Sequence, residues 1–450
     1  MESGELRRRK PEASLLHRAV REGWPGVAAE AEAHGGLPRR VHEEVRRYLR
    51  CGVLRWGFSA AKCQRCEELV LIPFSCKARG FCPSCAARRA HQAAAHLCEV
   101  LPEVGYRQWT LALPRALNFA VVKEVKLLRR VERKLVRAIF RWQRRRAREL
   151  GREGKLLAGA VSFVQLFNGQ LALQPHLHLL VPEGLFGQGV FAALPPPAKE
   201  EVESVLSRML RRLRPAFEAF EAPVSDDGLE ALQQQGAQLR LSIDERPVGE
   251  RKGRRLAVGM GFSLHADTQV HAHDRAGVAR LARYGARGPI AESRLSRRDD
   301  GQYAYQTKKG VALVLTAQQL VRRLCWLIVP PRLHLTNFHG LFASHASARA
   351  AVLPAAVGQK EGTAAEKSRP APVPARFEVK AKTPRLDWAT LYARTWGIDV
   401  WTCRCGGKRK VLSVVSSQRA AEEMLQRLGL LESRPPPPPA QPPPQLVLAV

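Results

Sequence analysis

Two histidines separated by a single residue, His176 and His178, lie in the apolar run Leu173–Pro182. Alternate residues of a β-strand point to the same face, so both imidazoles would project together while Leu177 and Leu179 face the other side. Two neutral imidazoles at that separation form two-thirds of a facial metal site. A strand can also carry two histidines with no ligand between them, so the pair indicates a metal site only in combination with other features.

A set of cysteines upstream of the histidines has the spacing of a zinc ribbon. Two Cys-x-x-Cys pairs are separated by fifteen residues, and each pair offers two thiolates to one tetrahedral ion. Seven of the ten cysteines lie between Cys51 and Cys98, and in a chain of this size that clustering favours metal over disulfides. We therefore predict one structural Zn²⁺ ion held by Cys63, Cys66, Cys82 and Cys85, with Cys51 and Cys76 as alternative members of the site.

Tyr284 is the candidate nucleophile. It lies in a predicted helix from Arg275 to Arg287, with Asp274 as its N-cap. Arg280 and Arg287 stand four residues before and three residues after the tyrosine, so they share its face of the helix. Two guanidinium groups there would bind a phosphate and favour the phenolate form of the tyrosine. The alternative interpretation is a buried tyrosine beside surface arginines.

The chain is strongly basic, with 73 Lys and Arg against 41 Asp and Glu and a formal net charge of +32. A positive electrostatic field of that size favours binding to a polyanion. No stretch of the sequence reaches the roughly 18 uninterrupted apolar residues of a membrane-spanning helix. Residues 1–10 precede no apolar segment of the kind a secretory signal needs. Nucleic acid is therefore the favoured partner, and the zinc module would face it with Lys77, Arg79, Arg88 and Arg89.

The elements that must position these side chains follow from the apolar periodicity. Ala160–Phe167 and Leu171–Val181 predict a β-hairpin around Asn168-Gly169, and a long helix is expected from about Val121 to Leu150. The predicted organisation is a partly ordered lead-in (1–50), a zinc-binding module (51–100), a catalytic domain (101–354), a disordered linker (355–384), a small C-terminal segment (385–432) and a proline-rich tail (433–450).

Five sequence blocks resemble the rolling-circle (HUH-type) transposases of the insertion sequence ninety-one family. In chain order they are Phe74–Cys85, Pro175–Val181, Arg283–Pro289, Leu295–Gly301 and Pro330–Gly340, and the resemblance extends from about Cys51 to Pro354. It implies an α+β fold in which a zinc-ribbon-like module precedes an HUH-type domain. In that domain a central antiparallel sheet would carry the histidines, with helices packed on one face.

The resemblance also implies an activity. Tyr284 would attack a phosphate of single-stranded DNA at the ends of a mobile element, leaving a 5′-phosphotyrosine link and a free 3′-hydroxyl. A catalytic Mg²⁺ or Mn²⁺ ion would be bound by His176, His178 and a third ligand, for which Gln165 is the candidate and Glu183 the rival. A protein of this kind would act in the bacterial cytoplasm, associated with the nucleoid.

Three features of this chain depart from the family pattern or compete with it. Some members carry two tyrosines about one helical turn apart, but residues 280 and 288 are Arg and Gly, so we expect a single nucleophile. Cys403-Arg-Cys405-Gly-Gly resembles a Cys-x-x-Cys-Gly-Gly knuckle that has lost one residue, and we expect no zinc there. His271-Ala-His273 lies in a polar stretch and is not predicted to bind metal.

Two other functions fit the same residues. A replication initiator or plasmid relaxase would use identical chemistry, although the chain has no Gly-x-x-x-x-Gly-Lys-Ser/Thr loop for an attached motor. A zinc-dependent DNA-binding protein without catalytic activity, such as an inactivated transposase, would keep the basic surface and the cysteines and would not depend on Tyr284.

Overall fold

A computed structural model describes residues 10–187, 190–218, 254–308, 310–349, 388–396 and 399–430. The predicted linker (355–384) and proline-rich tail (433–450) lie outside the described residues. The described part of the chain is an α+β protein whose strand pairings are antiparallel, as the sequence predicts.

The elements fall into three groups along the chain. The N-terminal group contains α1 (Leu15–Glu32), α2 (Arg39–Arg50), β1 (Phe58–Cys63), β2 (Leu69–Pro73) and α3 (Pro83–Val100). The central group contains β3 (Tyr106–Ala112), α4 (Asn118–Lys123), α5 (Val125–Glu149), β4 (Gly159–Phe167), β5 (Leu173–Pro182), β6 (Gly184–Gly187), β7 (Val190–Ala193), α6 (Lys199–Glu218), β8 (Leu256–Gly259), β9 (Phe262–His265), β10 (Gln269–Val270), α7 (Arg275–Gly285), β11 (Leu295–Arg297), β12 (Tyr303–Gln306), β13 (Ala312–Leu315), α8 (Ala317–Trp326) and β14 (Thr336–Gly340). The C-terminal group contains α9 (Trp388–Trp396), β15 (Arg409–Val415) and α10 (Gln418–Arg427).

The central sheet is built around the β4–β5 hairpin. Its strand order among the described residues is β14-β4-β5-β3-β9-β8, with β10 pairing the start of β3. The predicted hairpin is confirmed, with a five-residue loop in which Asn168 Oδ1 accepts hydrogen bonds from the backbone N–H groups of Gln170 and Ala172. Leu171 in this loop has a φ of 53° and is fully buried among side chains of α1, α2 and α8. The hairpin that carries the histidines is therefore anchored at its tip.

Helices cover both faces of the central sheet, so the prediction of helices on one face is wrong. On one face, α5 and α6 pack over a core that includes Leu111, Leu177 and Leu179. On the other face, α3 and α7 pack over Tyr106 and Phe163. The sequence analysis did not predict this second layer of helices, because α3 belongs to the cysteine module, which we predicted as a separate unit. The histidines lie on this second face.

The cysteine module is completed from both ends of the chain. Helices α1 and α2, within the predicted lead-in, pack with α8 and with Cys82 and Cys85 in one core. Strand β15 pairs with β1, giving a three-stranded sheet of order β15-β1-β2, and α10 packs on Leu54 and Phe58 through Leu425. The small C-terminal segment is thus part of the N-terminal module.

A buried carboxylate links α5 to the central sheet. Glu132 accepts hydrogen bonds from Ser162 on β4, Asn337 on β14 and Arg129 on its own helix, and His339 Nε2 lies 3.5 Å from its Oε1. Burial alone would raise the pKa of Glu132, but His339, Ser162 and Arg129 together lower it to about 2. The charged form is therefore the one that the fold stabilises.

Replacing Glu132 with glutamine should lower the free energy of unfolding at pH 7 by about 3 kcal/mol, because it removes the buried charge whose pKa the fold lowers to about 2 and leaves its hydrogen-bonding partners without that charge. The folded-state pKa is depressed, so this contribution is complete above the unfolded pKa and is lost as the pH falls towards 2. Urea unfolding at pH 7 and pH 4 measures both effects. Glu149→Gln is the control, since its exposed ion pairs with Arg145 and Arg146 should contribute less than about 1 kcal/mol. Equal losses in both variants would contradict the assignment.

Candidate active site and cysteine clusters

The two histidines and Gln165 lie on one face of the central sheet. Gln165 is directly opposite His176 in the β4–β5 register, and residues opposite one another in adjacent strands share a face. The rings of His176 and His178 have centroids 4.9 Å apart and are nearly perpendicular. Thr110 lies opposite His178 on β3, the strand on the other side of β5. The register therefore brings three of the predicted ligands together.

The hydrogen bonds of this group leave metal-binding atoms available. His176 Nδ1 donates to the carbonyl of Gln174 at 2.9 Å, which leaves the lone pair on Nε2. His178 Nδ1 lies 2.7 Å from Gln108 Nε2 and 3.1 Å from the Thr110 hydroxyl oxygen; in the tautomer in which Nδ1 donates to Thr110, Nε2 carries the lone pair that a metal ion needs. His178 Nε2 and Gln165 Oε1 are both buried and have no hydrogen-bond partner among the described residues. Buried polar atoms without a partner are rare, and a bound cation would satisfy both of these.

Both imidazoles are uncharged at neutral pH. Burial lowers the pKa of His176, and Arg287 lowers it further against the opposing effect of the Gln174 carbonyl. Burial, His176 and Arg287 lower the pKa of His178 to about 3. A neutral imidazole is the form that binds a metal ion.

Tyr284 lies against these histidines, at the C-terminal end of α7. Its ring centroid is 5.3 Å from that of His178, and the side chain is 36% exposed, so the phenol remains accessible. Gln165 Nε2 donates to the carbonyls of Tyr284 at 2.5 Å and Gly285 at 3.0 Å, which fixes this end of the helix to β4. Gly285 permits the close approach, because a Cβ atom there would lie 2.5 Å from the ring of Phe163.

Two cations contact the tyrosine ring, but only one of them was predicted. The Arg287 guanidinium lies 4.7 Å from the ring centroid, and Lys308 Nζ lies 5.0 Å from it. Arg280 instead pairs with Asp274 Oδ2 at 3.3 Å, so the predicted pair of flanking arginines is wrong. Asp274 also caps α7 through Gly277, as predicted, and its charge attracts Arg280 away from the tyrosine. Lys308 comes from the β12–β13 turn, which sequence spacing alone does not bring near Tyr284.

The rival ligand and the second histidine pair lie elsewhere. Glu183 pairs with the buried Arg107 at 2.5 Å and accepts a hydrogen bond from Gln269 at 2.6 Å. His273 is exposed and lies 3.1 Å from Glu103. Neither Glu183 nor the His271–His273 pair joins the group formed by His176, His178 and Gln165.

The predicted zinc quartet is divided between two groups of four cysteines. One group is Cys51, Cys76, Cys82 and Cys85; the other is Cys63, Cys66, Cys403 and Cys405. Within each group all sulfur atoms lie within 4.8 Å of one another, and all ten cysteines are free of disulfides. Cys403 and Cys405, where we expected no zinc, therefore have two partner cysteines in Cys63 and Cys66. The spacing signal identified both Cys-x-x-Cys pairs, but it could not show that each pair belongs to a different group.

The first group is joined to the tyrosine helix. Cys82 precedes α3 and Cys85 lies in its first turn, while Cys51 follows α2. Further along, α3 packs against α7, where Cys98 Sγ contacts the carbonyl of Arg275 at 3.4 Å. A tetrahedral ion bound to these four thiolates would fix the start of the helix that supports α7.

Two of the predicted DNA contacts are engaged within the protein. The Arg79 guanidinium donates to the carbonyl of Leu333 at 2.8 Å, and Arg89 donates to the carbonyl of Ala78. Both arginines stabilise the loop around the first cysteine group, but Arg79 is also exposed and remains a candidate for contact with DNA. Lys77 is exposed and Arg88 is half-buried, so both remain candidates for contact with DNA.

Comparison with protein families identifies two known domains in this chain. Residues 20–113 match the family described as "Transposase zinc-binding domain", and residues 159–350 match the family described as "Putative transposase". The first match includes α3 and six of the eight cysteines in the two groups, and the second includes Gln165, both histidines and Tyr284. Comparisons with curated proteins and with solved structures found no match.

No helix in the described ranges has the length and apolar character needed to cross a membrane. The two family matches together cover well over half of the chain, and they stand in the order that the sequence blocks predict. The zinc-binding domain comes first and the transposase domain follows it. The chain therefore carries a transposase domain preceded by a transposase zinc-binding domain, which matches its resemblance to the insertion sequence ninety-one family.

Proposed function

We propose that this transposase cleaves and rejoins single-stranded DNA by a metal-assisted attack of Tyr284 on a backbone phosphate. The product of the first step would be a 5′-phosphotyrosine link, as in the HUH-type enzymes that the sequence resembles. The observation that supports this most strongly is the contact between Tyr284 and His178 on a sheet face that also carries His176 and Gln165. A nucleophile, a donor set for a metal ion and two cations meet there.

The residues present fit a catalytic divalent ion. His176 Nε2, His178 Nε2 and Gln165 Oε1 would provide two nitrogen donors and one oxygen donor, and the last two atoms have no other partner in the described structure. The ion would supply a Lewis acid that polarises a non-bridging oxygen of the scissile phosphate. Mg²⁺ is bound mainly by oxygen ligands, so a site with two imidazoles favours Mn²⁺.

The side chains of this site have separate tasks in the proposed reaction. Arg287 and Lys308 would attract the phosphate to the tyrosine ring that they already contact. The Tyr284 hydroxyl oxygen forms a bond to phosphorus as the bond to the 3′-oxygen breaks; the phenol proton is lost, and the 3′-oxygen leaves as a hydroxyl. In the rejoining step another 3′-hydroxyl displaces the tyrosine. The number of phosphoester bonds is conserved, so no high-energy cofactor is needed.

A single nucleophile would perform these steps. Other tyrosines of this region have structural roles: the buried Tyr106, which packs against α7, donates a hydrogen bond to the carbonyl of Pro102 at 2.9 Å. Tyr303 donates one to Glu22 at 2.7 Å, and Tyr305 accepts one from the backbone N–H of Ala291 at 3.3 Å. Position 280 holds an arginine paired with Asp274, which excludes a second tyrosine one turn before the first. Strand transfer would then use a free 3′-hydroxyl directly.

A labelled cleavage assay tests the proposal. The full chain would be incubated with Mn²⁺ or Mg²⁺ and single-stranded oligonucleotides from both ends of its own element, labelled at either the 5′ or the 3′ end. We expect the 3′-labelled fragment to migrate with the protein on a denaturing gel, and the 5′-labelled fragment to run free with a 3′-hydroxyl. EDTA should abolish both products.

Three outcomes of this assay, with an oligonucleotide from a plasmid origin added as a further substrate, would overturn the proposal. Comigration of the 5′-labelled fragment with the protein would establish the opposite polarity of attack. Specific binding of the oligonucleotides with no adduct under any metal would favour the non-catalytic DNA-binding alternative. Adduct formation on a plasmid origin, but not on the element ends, would assign the same chemistry to a replication initiator or relaxase.

Gln165 offers a prediction with two separable parts, because its Oε1 is available to a metal ion while its Nε2 holds the end of α7. Gln165→Met should lower the rate of cleavage by about 10–100-fold and raise the metal concentration needed for half-maximal rate. Gln165→Glu keeps the oxygen donor but places a carboxylate beside the two carbonyls. It should need less metal than Gln165→Met and still cleave more slowly than the wild type. Equal metal dependence in all three proteins would contradict a ligand role for Gln165.

A further inference from the structure

The group formed by Cys63, Cys66, Cys403 and Cys405 extends beyond the matched zinc-binding domain, which ends at residue 113. We propose that these four cysteines bind a second structural Zn²⁺ ion, and that this ion fastens the C-terminal segment to the N-terminal module. Each transposase chain would then hold two zinc ions. One would lie entirely within the N-terminal domain, and the other would join residues more than 300 positions apart.

The sulfur positions fit a tetrahedral ion. Cys63 Sγ lies 3.5 Å from Cys405 Sγ, and Cys66 Sγ lies 3.5 Å from Cys403 Sγ. Zn–S bonds of about 2.3 Å in a tetrahedron place neighbouring sulfurs about 3.8 Å apart. The separations are therefore close to those of a zinc tetrathiolate.

The backbone around these cysteines has the features of two zinc knuckles. The N–H of Arg65 points at Cys63 Sγ and that of Gly407 points at Cys405 Sγ, each at 3.4 Å. Such N–H groups stabilise thiolates and orient them towards a shared ion. Residue 407 must be glycine, because a Cβ atom there would lie 2.8 Å from Cys63 Sγ and 2.7 Å from Arg65 Cβ. Cys403 and Cys405 are separated by one residue instead of two. The backbone after Cys405 can still turn towards Cys63, because residue 407 is glycine.

Two arginines lie beside the proposed tetrathiolate, and one of them also neutralises Glu68, whose Oε2 lies 3.0 Å from Cys403 Sγ. Arg65 donates to the carbonyl of Cys405 at 2.9 Å, and the buried Arg409 donates to Glu68 at 2.8 Å and to the carbonyl of Thr402 at 2.6 Å. Arg409 is the first residue of β15, directly opposite Cys63 at the end of β1. The strand pairing and the cysteine group are thus adjacent parts of one structure.

The C-terminal segment packs against the N-terminal module, and a bound ion would hold the two together. Strand β15 completes the three-stranded sheet, α10 packs on Leu54 and Phe58, and Arg55 pairs with Glu422 at 2.5 Å. Much of β15 is nevertheless exposed, including Leu412 at 60% and Val414 at 65%. A metal link would add to the packing that holds this segment in place.

Zinc counting on the purified full-length protein tests the proposal. Mass spectrometry of the metal content should give two zinc ions per wild-type chain and one in the double variant Cys403→Ser/Cys405→Ser. Cys51→Ser/Cys76→Ser should also retain one, and Cys98→Ser/Cys325→Ser should retain two. Hydrogen exchange should increase at β1 and β15 in the first variant and not in the third. These readouts do not require DNA cleavage, so they stand apart from the proposed catalytic function.

A second variant covers the case in which the double substitution impairs folding. Gly407→Val keeps all four thiols but places a side chain against Cys63 Sγ, and should reduce the zinc content to one. Gly169→Val is its control, since no atom lies within 4 Å of a Cβ at that position. Cobalt substitution should give the absorption of two tetrahedral thiolate sites in the wild type and of one in Gly407→Val. One zinc per wild-type chain, or two retained after both substitutions at this group, would overturn the proposal.

Discussion

Tyr284→Phe should abolish the covalent protein–DNA adduct, reducing its rate of formation by a factor on the order of 10³ or more. Phenylalanine keeps the ring that packs against His178 and Arg287 but lacks the oxygen that would attack phosphorus. DNA binding and thermal stability should therefore remain close to those of the wild type. The measurement is the yield of the 3′-labelled adduct on a denaturing gel, together with binding of the same oligonucleotide by fluorescence anisotropy.

Tyr392→Phe is the matched control for this substitution. Tyr392 lies on α9, where it packs near Ala61 and Ile72 in the N-terminal module, and it has no place in the proposed chemistry. An adduct of undiminished yield from Tyr284→Phe would show that another residue is the nucleophile. Loss of adduct in both variants would point to a general effect on the protein rather than to the phenol of Tyr284.

Removing the histidine pair should have the second largest effect. His176→Ala/His178→Ala deletes two of the three proposed metal ligands, and we expect the cleavage rate to fall by at least about 100-fold while DNA binding persists. Mn²⁺ should support wild-type cleavage at a lower concentration than Mg²⁺ does. Because burial lowers the pKa of both histidines, protons should not compete with the metal at neutral pH.

The chain provides an internal control for the histidine experiment. His271→Ala/His273→Ala removes a pair with the same spacing, of which His273 is exposed and bonded to Glu103. This variant should cleave at the wild-type rate. Equal damage from both double substitutions, or a loss of DNA binding that parallels the loss of cleavage in the first, would mean that His176 and His178 only maintain the fold.

Local patterns were sufficient to predict the elements around the candidate site. The alternation at His176 and His178 gave the strand and its face, Asn168-Gly169 gave the hairpin, and Asp274 gave the start of the tyrosine helix. Gln165, which the family resemblance suggested as a candidate ligand, lies directly opposite His176 in the β4–β5 register. Each of these inferences spans a few residues, within which periodicity and turn chemistry decide the geometry.

Contacts between distant parts of the chain could not be predicted in the same way. Spacing placed Cys63 and Cys66 with Cys82 and Cys85, whereas the pairing of β15 with β1 brings in Cys403 and Cys405. Helical spacing likewise placed Arg280 beside Tyr284, but the charge of Asp274 attracts it elsewhere. Lys308 reaches the tyrosine through a hairpin whose position relative to α7 depends on tertiary packing.

The pairing of β15 with β1 also sets an order of assembly during translation. Strand β1 ends at Cys63 and β15 begins at Arg409, so at roughly 5–20 residues per second the ribosome needs about 17–70 s to make the intervening chain. During that interval the β15-facing edge of β1 has no partner strand, and the Cys63–Cys66 knuckle has only half of its group. The nascent protein can complete its histidine sheet well before the sheet of its cysteine module closes.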